Sequence, residues 1–258
     1  MSGPVERVVH GAVHELKLAR APVNALNPPL CEALTESVAD ALQGGAQGIV
    51  VSGGPKVFSA GLDVPYLVSL GENRAQLTSA WGAFFDAARA LAESPVPVVA
   101  AIRGHAPAGG CVLALCCDYR IMARAPDAEK SFQIGLNETQ VGLAPPEGIL
   151  QLLGRVVGAQ RAERMLVSGT LVGAERALEI GLVDELLDID QVLPRALAWL
   201  DALLALPRQP MLLTRALARR DLVAALQPAR IGLEGFIGGW FAPDTQAGLR
   251  ALIAKLGK

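Results

Sequence analysis

Val13, Leu16 and Leu18 interleave with His14, Glu15 and Lys17, a pattern that predicts a half-buried strand over residues 13–18. Pro22 to Asn27 then reads as a loop. Behind Pro28 and Pro29, the residues Leu30, Leu34, Val38 and Leu42 recur every fourth position. That spacing puts one apolar face on a helix that the prolines open and Gly44-Gly45 stops. Gly48 to Ser52 carries Ile49, Val50 and Val51 without a polar break, as a strand buried on both faces does. A second unit repeats the rhythm, with a loop around Phe58 to Asp63, a helix within Leu77 to Leu91 and a β-branched strand from Pro97 to Ile102. The next unit consists of a glycine-rich loop from Gly104 to Gly110, a short apolar helix over Cys111 to Cys117 and a strand over Asp118 to Met122. Helices near Gln160 to Val167 and Ala174 to Ile180, the second ended by Gly181, lead to a strand over Leu182 to Leu187. From Gln191 onward Leu193, Leu197, Leu200, Leu203 and Leu204 give an apolar helical face. The fold class is therefore α/β, with an alternating core over 1–190 and a helical C-terminal region over 191–258.

Composition narrows the functional classes. The 258 residues are 52% hydrophobic and 19% charged, which excludes global disorder and leaves enough chain for a core without disulfide or metal staples. With 23 Lys and Arg against 25 Asp and Glu there is no basic excess to neutralise a phosphate backbone, so no nucleic-acid partner is expected. The longest apolar stretches, Val96 to Ile102 and Cys111 to Cys117, fall well short of the ~20 residues of a membrane span. Met1 to His10 holds Glu6 and Arg7 and lacks the apolar stretch of a secretory signal, so a cytoplasmic location is expected. Cys31, Cys111, Cys116 and Cys117 form no C-x-x-C pair and have no His nearby, which reads as four buried reduced thiols rather than a metal site. His10 and His14 flank the first strand and are expected at the surface, whereas His105 sits in the glycine-rich loop. Arg215, Arg219, Arg220 and Arg230, interleaved with Leu and Ala, read as the solvated face of a C-terminal helix.

The chain has no G-x-G-x-x-G, Walker loop, H-E-x-x-H or G-x-S-x-G, so dinucleotide, P-loop, zincin and hydrolase-elbow chemistries lack their signatures. Two other stretches offer backbone amides where a turn enters a helix: Ser59-Ala60-Gly61-Leu62-Asp63 and Pro107-Ala108-Gly109-Gly110-Cys111. Glycine allows close approach of a ligand, and amides at a helix start carry partial positive charge, so such turns can hold a developing oxyanion. Each also reads as an ordinary tight turn.

Phe58 to Asp63, Gly104-x-x-x-Ala108-Gly109-Gly110-Cys111, Asp118-Tyr119-Arg120-Ile121 and Gly135 to Leu143 resemble, in order and spacing, the crotonase (enoyl-CoA hydratase/isomerase) superfamily. Ser168-Gly169-Thr170 and Ala174 to Asp184 resemble its next signature, and the Gly-Leu-Asn-Glu-Thr-Gln run is most similar to mitochondrial-type Δ3,Δ2-enoyl-CoA isomerases. The resemblance implies a spiral of ββα units whose C-terminal helices pack between subunits of a homotrimer or hexamer. Leu200, Leu203, Leu204, Phe236, Ile237, Trp240 and Phe241 are then candidate contact residues, though burial within one subunit explains them equally well.

By the same resemblance the substrate is an acyl-CoA thioester, no metal or redox cofactor takes part, and the N–H groups of Leu62 and Gly109 form an oxyanion hole. Val23, Ala25, Leu26, Ala60, Gly61, Asp63, Val64, Gly110 and Asn137 would line the substrate groove. A hydratase of this family uses two carboxylates; the first position is Val112 here, and the second matches Glu138. One base can move a double bond by taking a proton from C2 and returning it to C4, so Glu138 points to an isomerase of 3-enoyl-CoA in fatty-acid β-oxidation. Glu147, in Pro145-Pro146-Glu147-Gly148, resembles the base position of peroxisomal-type isomerases and is a candidate second acid or base, or an acid in the first turn of a helix. The alternatives are a hydratase or other lyase using Glu138 with Glu147, and a non-catalytic binding or scaffold member of the family.

Overall fold

Gly11, at φ +62°, turns the chain between strands β1 (Val5–His10) and β2 (Val13–Leu18), which pair antiparallel with Val5 opposite Leu18. This is a computed structural model, and it describes residues 3–255 and 257. The hydrophobic pattern does not announce β1, because Val8 and Val9 are exposed on the sheet's edge. Helix α1 (Pro28–Gln43) begins where its prolines predict, with Asn27 Oδ1 accepting from the Leu30 amide at 3.2 Å, and buries Leu30, Leu34 and Val38. Strand β3 (Gly48–Ser52) then runs parallel to β2, with Val13 opposite Gly48.

Helices α2 (Val64–Ser69) and α3 (Arg74–Ala92) lead to β4 (Val98–Ile102), buried along its whole length and parallel to β3. The short β5 (Ala106–Pro107) precedes α4 (Gly109–Leu115), and β6 (Tyr119–Ala123) returns beside β4. Next come β7 (Gln133–Gly135), a 3-10 turn over Glu138–Val141, α5 (Glu147–Val157), α6 (Ala159–Ser168), β8 (Leu171–Gly173), α7 (Ala174–Glu179) and β9 (Glu185–Leu187). The sequence-predicted strand over Leu182–Leu187 is shorter than expected, because the Leu182 amide folds back onto Ala177 O at 2.8 Å to close α7.

One sheet has the order β1-β2-β3-β4-β6-β9, parallel apart from its first pair, and a second sheet has the order β5-β7-β8. The C-terminal region comprises α8 (Val192–Leu204), α9 (Arg208–Ala218), α10 (Arg220–Ala225), α11 (Pro228–Ile231), α12 (Leu233–Trp240) and α13 (Pro243–Lys255). Leu200, Ile237 and Trp240 are buried within this chain. No helix of the described residues is long and apolar enough to cross a membrane.

Two sequence expectations need correction. His14 is 5% exposed rather than at the surface, because β1 makes β2 an interior strand and the end of α1 covers the imidazole. Burial lowers its pKa. Nor do Arg215 and Arg219 form a solvated face. Both pair with Asp118, at 2.8 and 3.0 Å, and fasten the C-terminal region to the start of β6; Arg220 and Arg230 are exposed. All four cysteines are buried free thiols.

Candidate active site

Adjacent parallel strands β3 and β4 send their following loops out of the same end of the sheet, the end where ligands bind in open α/β folds. The two loops are laced together, with Phe58 N donating to His105 O at 2.9 Å and His105 N to Lys56 O at 3.0 Å. His105 itself serves this framework: its Nδ1 accepts the Gln133 amide at 3.0 Å, and burial lowers its pKa. Asn24, in the left-handed region at φ +49°, secures a third loop, donating from Nδ2 to Phe58 O at 3.0 Å while its own carbonyl accepts Ser59 Oγ at 2.8 Å.

These contacts orient the two amides singled out in the sequence. Leu62 bridges Leu26 in parallel, and that bridge uses Gly61 O and the Asp63 amide, so the Leu62 N–H faces away from it. Gly109 is the first residue of α4, whose N-cap Ala108 supplies no side-chain cap. Neither the Leu62 nor the Gly109 amide has an acceptor among the described residues. The two turns touch: a Cβ on Gly61 would lie 2.9 Å from Ala108 Cβ and 3.1 Å from Gly109 N. Gly110 allows equally close approach, since a Cβ there would lie 2.5 Å from Ser59 O. Ala108 adopts φ 49°, ψ −122°, a strained conformation for a residue with a side chain, and its amide donates to Gly135 O at 2.8 Å. That bond ties the Gly109 turn to β7, three residues before Glu138.

Glu138 opens its 3-10 turn beside an apolar cavity of about 370 Å³. Its Oε2 is buried with no hydrogen-bond partner among the described residues, and burial pushes the carboxyl pKa up to about 7. Of the residues singled out in the sequence, Val23, Ala25, Ala60, Leu62, Asp63, Val64, Asn137 and Glu138 line this cavity. Leu26, 2% exposed, and Gly61, Gly109 and Gly110 do not line it; Gly61 instead packs against the lining residue Ala108, and Gly109 against the lining residue Leu62. Asp63 caps α2 through the Tyr66 amide at 3.1 Å and pairs with Arg20 at 2.7 Å. Glu147 does not line the cavity; it is exposed at the start of α5, bound to Gln151 at 2.8 Å and Arg230 at 2.7 Å. Val112, in α4, is buried at 2% exposure. Arg20, which sequence reasoning missed, also lines the cavity, as do Trp81 of α3 and Trp240 of α12. Trp81 lies within the helical pattern of Leu77 to Leu91, and Trp240 arrives from far along the chain.

A family model described as enoyl-CoA hydratase/isomerase matches residues 9–232. The chain belongs to the enoyl-CoA hydratase/isomerase family. Among its relatives, human mitochondrial enoyl-CoA delta isomerase 1 is 33% identical over 258 residues, covering 98% of this chain and 82% of that protein. Crotonyl-CoA hydratase of Syntrophomonas wolfei is 29% identical over 208 residues, covering 80% and 77%. The crystal structure of human mitochondrial delta3-delta2-enoyl-CoA isomerase superimposes with a TM-score of 0.91 at 31% identity, covering 98% of each chain. The α/β architecture is thus the crotonase-like one, and this enoyl-CoA hydratase/isomerase family member shares its frame with both isomerases and hydratases.

Proposed function

We propose that this protein isomerises 3-enoyl-CoA to trans-2-enoyl-CoA with Glu138 as its single acid-base group. The observation that carries the reading is a cavity carboxylate with a buried, unpartnered oxygen near two acceptor-free amides, while the cavity's other carboxylate, Asp63, is held by Arg20 and apolar Val112 occupies the other carboxylate position. The thioester oxygen accepts from Leu62 N–H and Gly109 N–H. Glu138 takes a proton from C2, the C2–H electron pair moves into the enolate, and the charge gathers on the oxygen that the amides hold. The same carboxyl then returns the proton to C4 as the double bond shifts to C2–C3. A preorganised amide donor is typically worth about 10² to 10³ in rate, which is how such a weak carbon acid becomes reactive. Val23, Ala25, Ala60 and Asp63 would flank the CoA portion. In this reading the protein is an enzyme of fatty-acid β-oxidation that assembles as a homotrimer or hexamer.

Glu138→Gln should lower isomerisation of 3-hexenoyl-CoA by about 10² to 10⁴-fold, the usual contribution of a positioned general base. Wild-type rates in that variant would sink the assignment. The wild-type protein given 2-hexenoyl-CoA should yield little 3-hydroxyacyl-CoA, since neither Val112 nor the outlying Glu147 can activate water; rapid hydration would establish the hydratase reading instead.

A further inference from the structure

Aromatic residues are scarce in this chain, with 3 Trp, 2 Tyr and 6 Phe, yet five of those rings meet in one cluster beside the cavity. The cluster begins at the oxyanion turn, where a Cβ on Gly109 would lie 3.2 Å from Phe84 Cε2. Trp81 stands next, its ring centroid 6.1 Å from that of Phe84. Behind Trp81 are Phe236, edge-on at 4.5 Å, and Trp240 at 6.3 Å, both delivered by α12. Trp81 is 5% exposed and Trp240 1% exposed, and both line the same cavity as Glu138. Trp81 Nε1 has no acceptor among the described residues, so the indole is held by ring packing rather than by a hydrogen bond. The cavity, at about 370 Å³, lies at the small end of the range for ligand pockets of roughly 300–1,000 Å³, and the thioester head must share it with the acyl chain.

We propose that the Trp81 indole, backed by Phe236 and Trp240, is the wall that ends the acyl pocket and restricts this protein to short-chain acyl-CoA thioesters. The inference rests on the acyl-CoA reading of the site and adds the class of acyl chain. In an open apolar tunnel each added methylene strengthens binding. Against a close-packed wall it must displace a ring held by others, and the trend reverses.

Calorimetric binding of butyryl-, hexanoyl- and decanoyl-CoA reads the wall without any reaction taking place. The wild-type protein should bind decanoyl-CoA at least about tenfold more weakly than hexanoyl-CoA, the scale on which a pocket resolves even one methylene. Trp81→Ala should abolish or reverse that order, and Trp81→Leu, which preserves more of the packing, should do the same if the alanine variant fails to fold. Trp81→Phe keeps a ring in place and should retain the preference for hexanoyl-CoA. The proposal is overturned if the wild-type protein binds decanoyl-CoA as tightly as hexanoyl-CoA, or if folded Trp81→Leu keeps the wild-type order. Chain-length discrimination without turnover of 3-hexenoyl-CoA would uphold the wall and refute the isomerase reading, whereas failure to bind any of the three thioesters would overturn both.

Discussion

Glu138 combines chemistry and instability in one side chain. Its pKa rises from 4.5 to about 7 because burial penalises the carboxylate, so between those values the native state holds a proton that the unfolded chain releases. Folding stability contributed by this group therefore falls as pH rises from about 4.5 through about 7. Glu138→Gln removes the charge, and its melting temperature should exceed that of the wild-type protein by more at pH 8 than at pH 5. An equal difference at both pH values would show that the carboxyl titrates normally. With Glu138 as the proposed base, kcat/KM for 3-hexenoyl-CoA should climb with pH in the same window to a plateau above an apparent pKa near 7, since only the carboxylate form can accept a proton. The two glycine-bearing turns were legible from residue order, because close backbone approach restricts such positions to small residues, whereas Glu138 stood out only through the resemblance of Gly135 to Leu143 to the family's motif. The left-handed Ala108 and Asn24 were not legible, since neither residue type announces a strained backbone that only neighbouring loops impose.

The 3-10 turn that carries Glu138 is too short to hold itself. Its closing bond, Leu143 N to Glu138 O at 2.9 Å, is supplemented by Thr139 Oγ1 donating to Leu166 O of α6 at 3.0 Å. The far side is clamped by α13: Thr245 Oγ1 donates to Gly142 O at 2.5 Å, and the helix lies so close that a Cβ on Gly248 would sit 2.5 Å from Val141 O. Gly248→Ala must therefore push α13 and the turn apart. A displacement on the order of 1 Å in a reacting group can cost about 10²-fold, so kcat should fall by roughly 10- to 10²-fold while affinity for hexanoyl-CoA, set largely by the other loops, changes less. An unchanged kcat would show that α13 does not position the base. The periodicity of α1 and α3 made those helices readable because each buries one continuous face. The second sheet was not readable, since β5, β7 and β8 are two or three residues long and exist only by pairing with one another.

Across the whole molecule, Asp118 joins the C-terminal region to the core through two arginines at once. Asp118 accepts from the Val98 amide at 2.8 Å, from Arg215 Nε at 2.9 Å and Nη2 at 2.8 Å, and from Arg219 Nη1 at 3.0 Å. Arg219 also donates to Ala92 O and Cys116 O, so its guanidinium gathers the ends of α3 and α4 as well. Asp118→Ala would leave two cations, one of them 6% exposed, without their counter-charge. The expected loss is about 3–5 kcal/mol in urea unfolding, typical of breaking one side of a buried ion pair, and a loss under about 1 kcal/mol would refute this role. The same arginines had read as a solvated face because interleaved Leu and Ala are compatible with either side of a helix. The sequence by itself determined the alternation of strands and helices, the buried strands, the two amide turns and the carboxylate four residues before Gly142, because local periodicity and short-range motifs encode each of these. Tertiary structure alone decided that His14 is buried, that Glu147 lies outside the cavity, that Asp118 meets its arginines across about a hundred residues, and that Trp81 and Trp240 meet at one cavity. Burial and partnership depend on segments distant in the chain, and no local pattern specifies which of them will arrive.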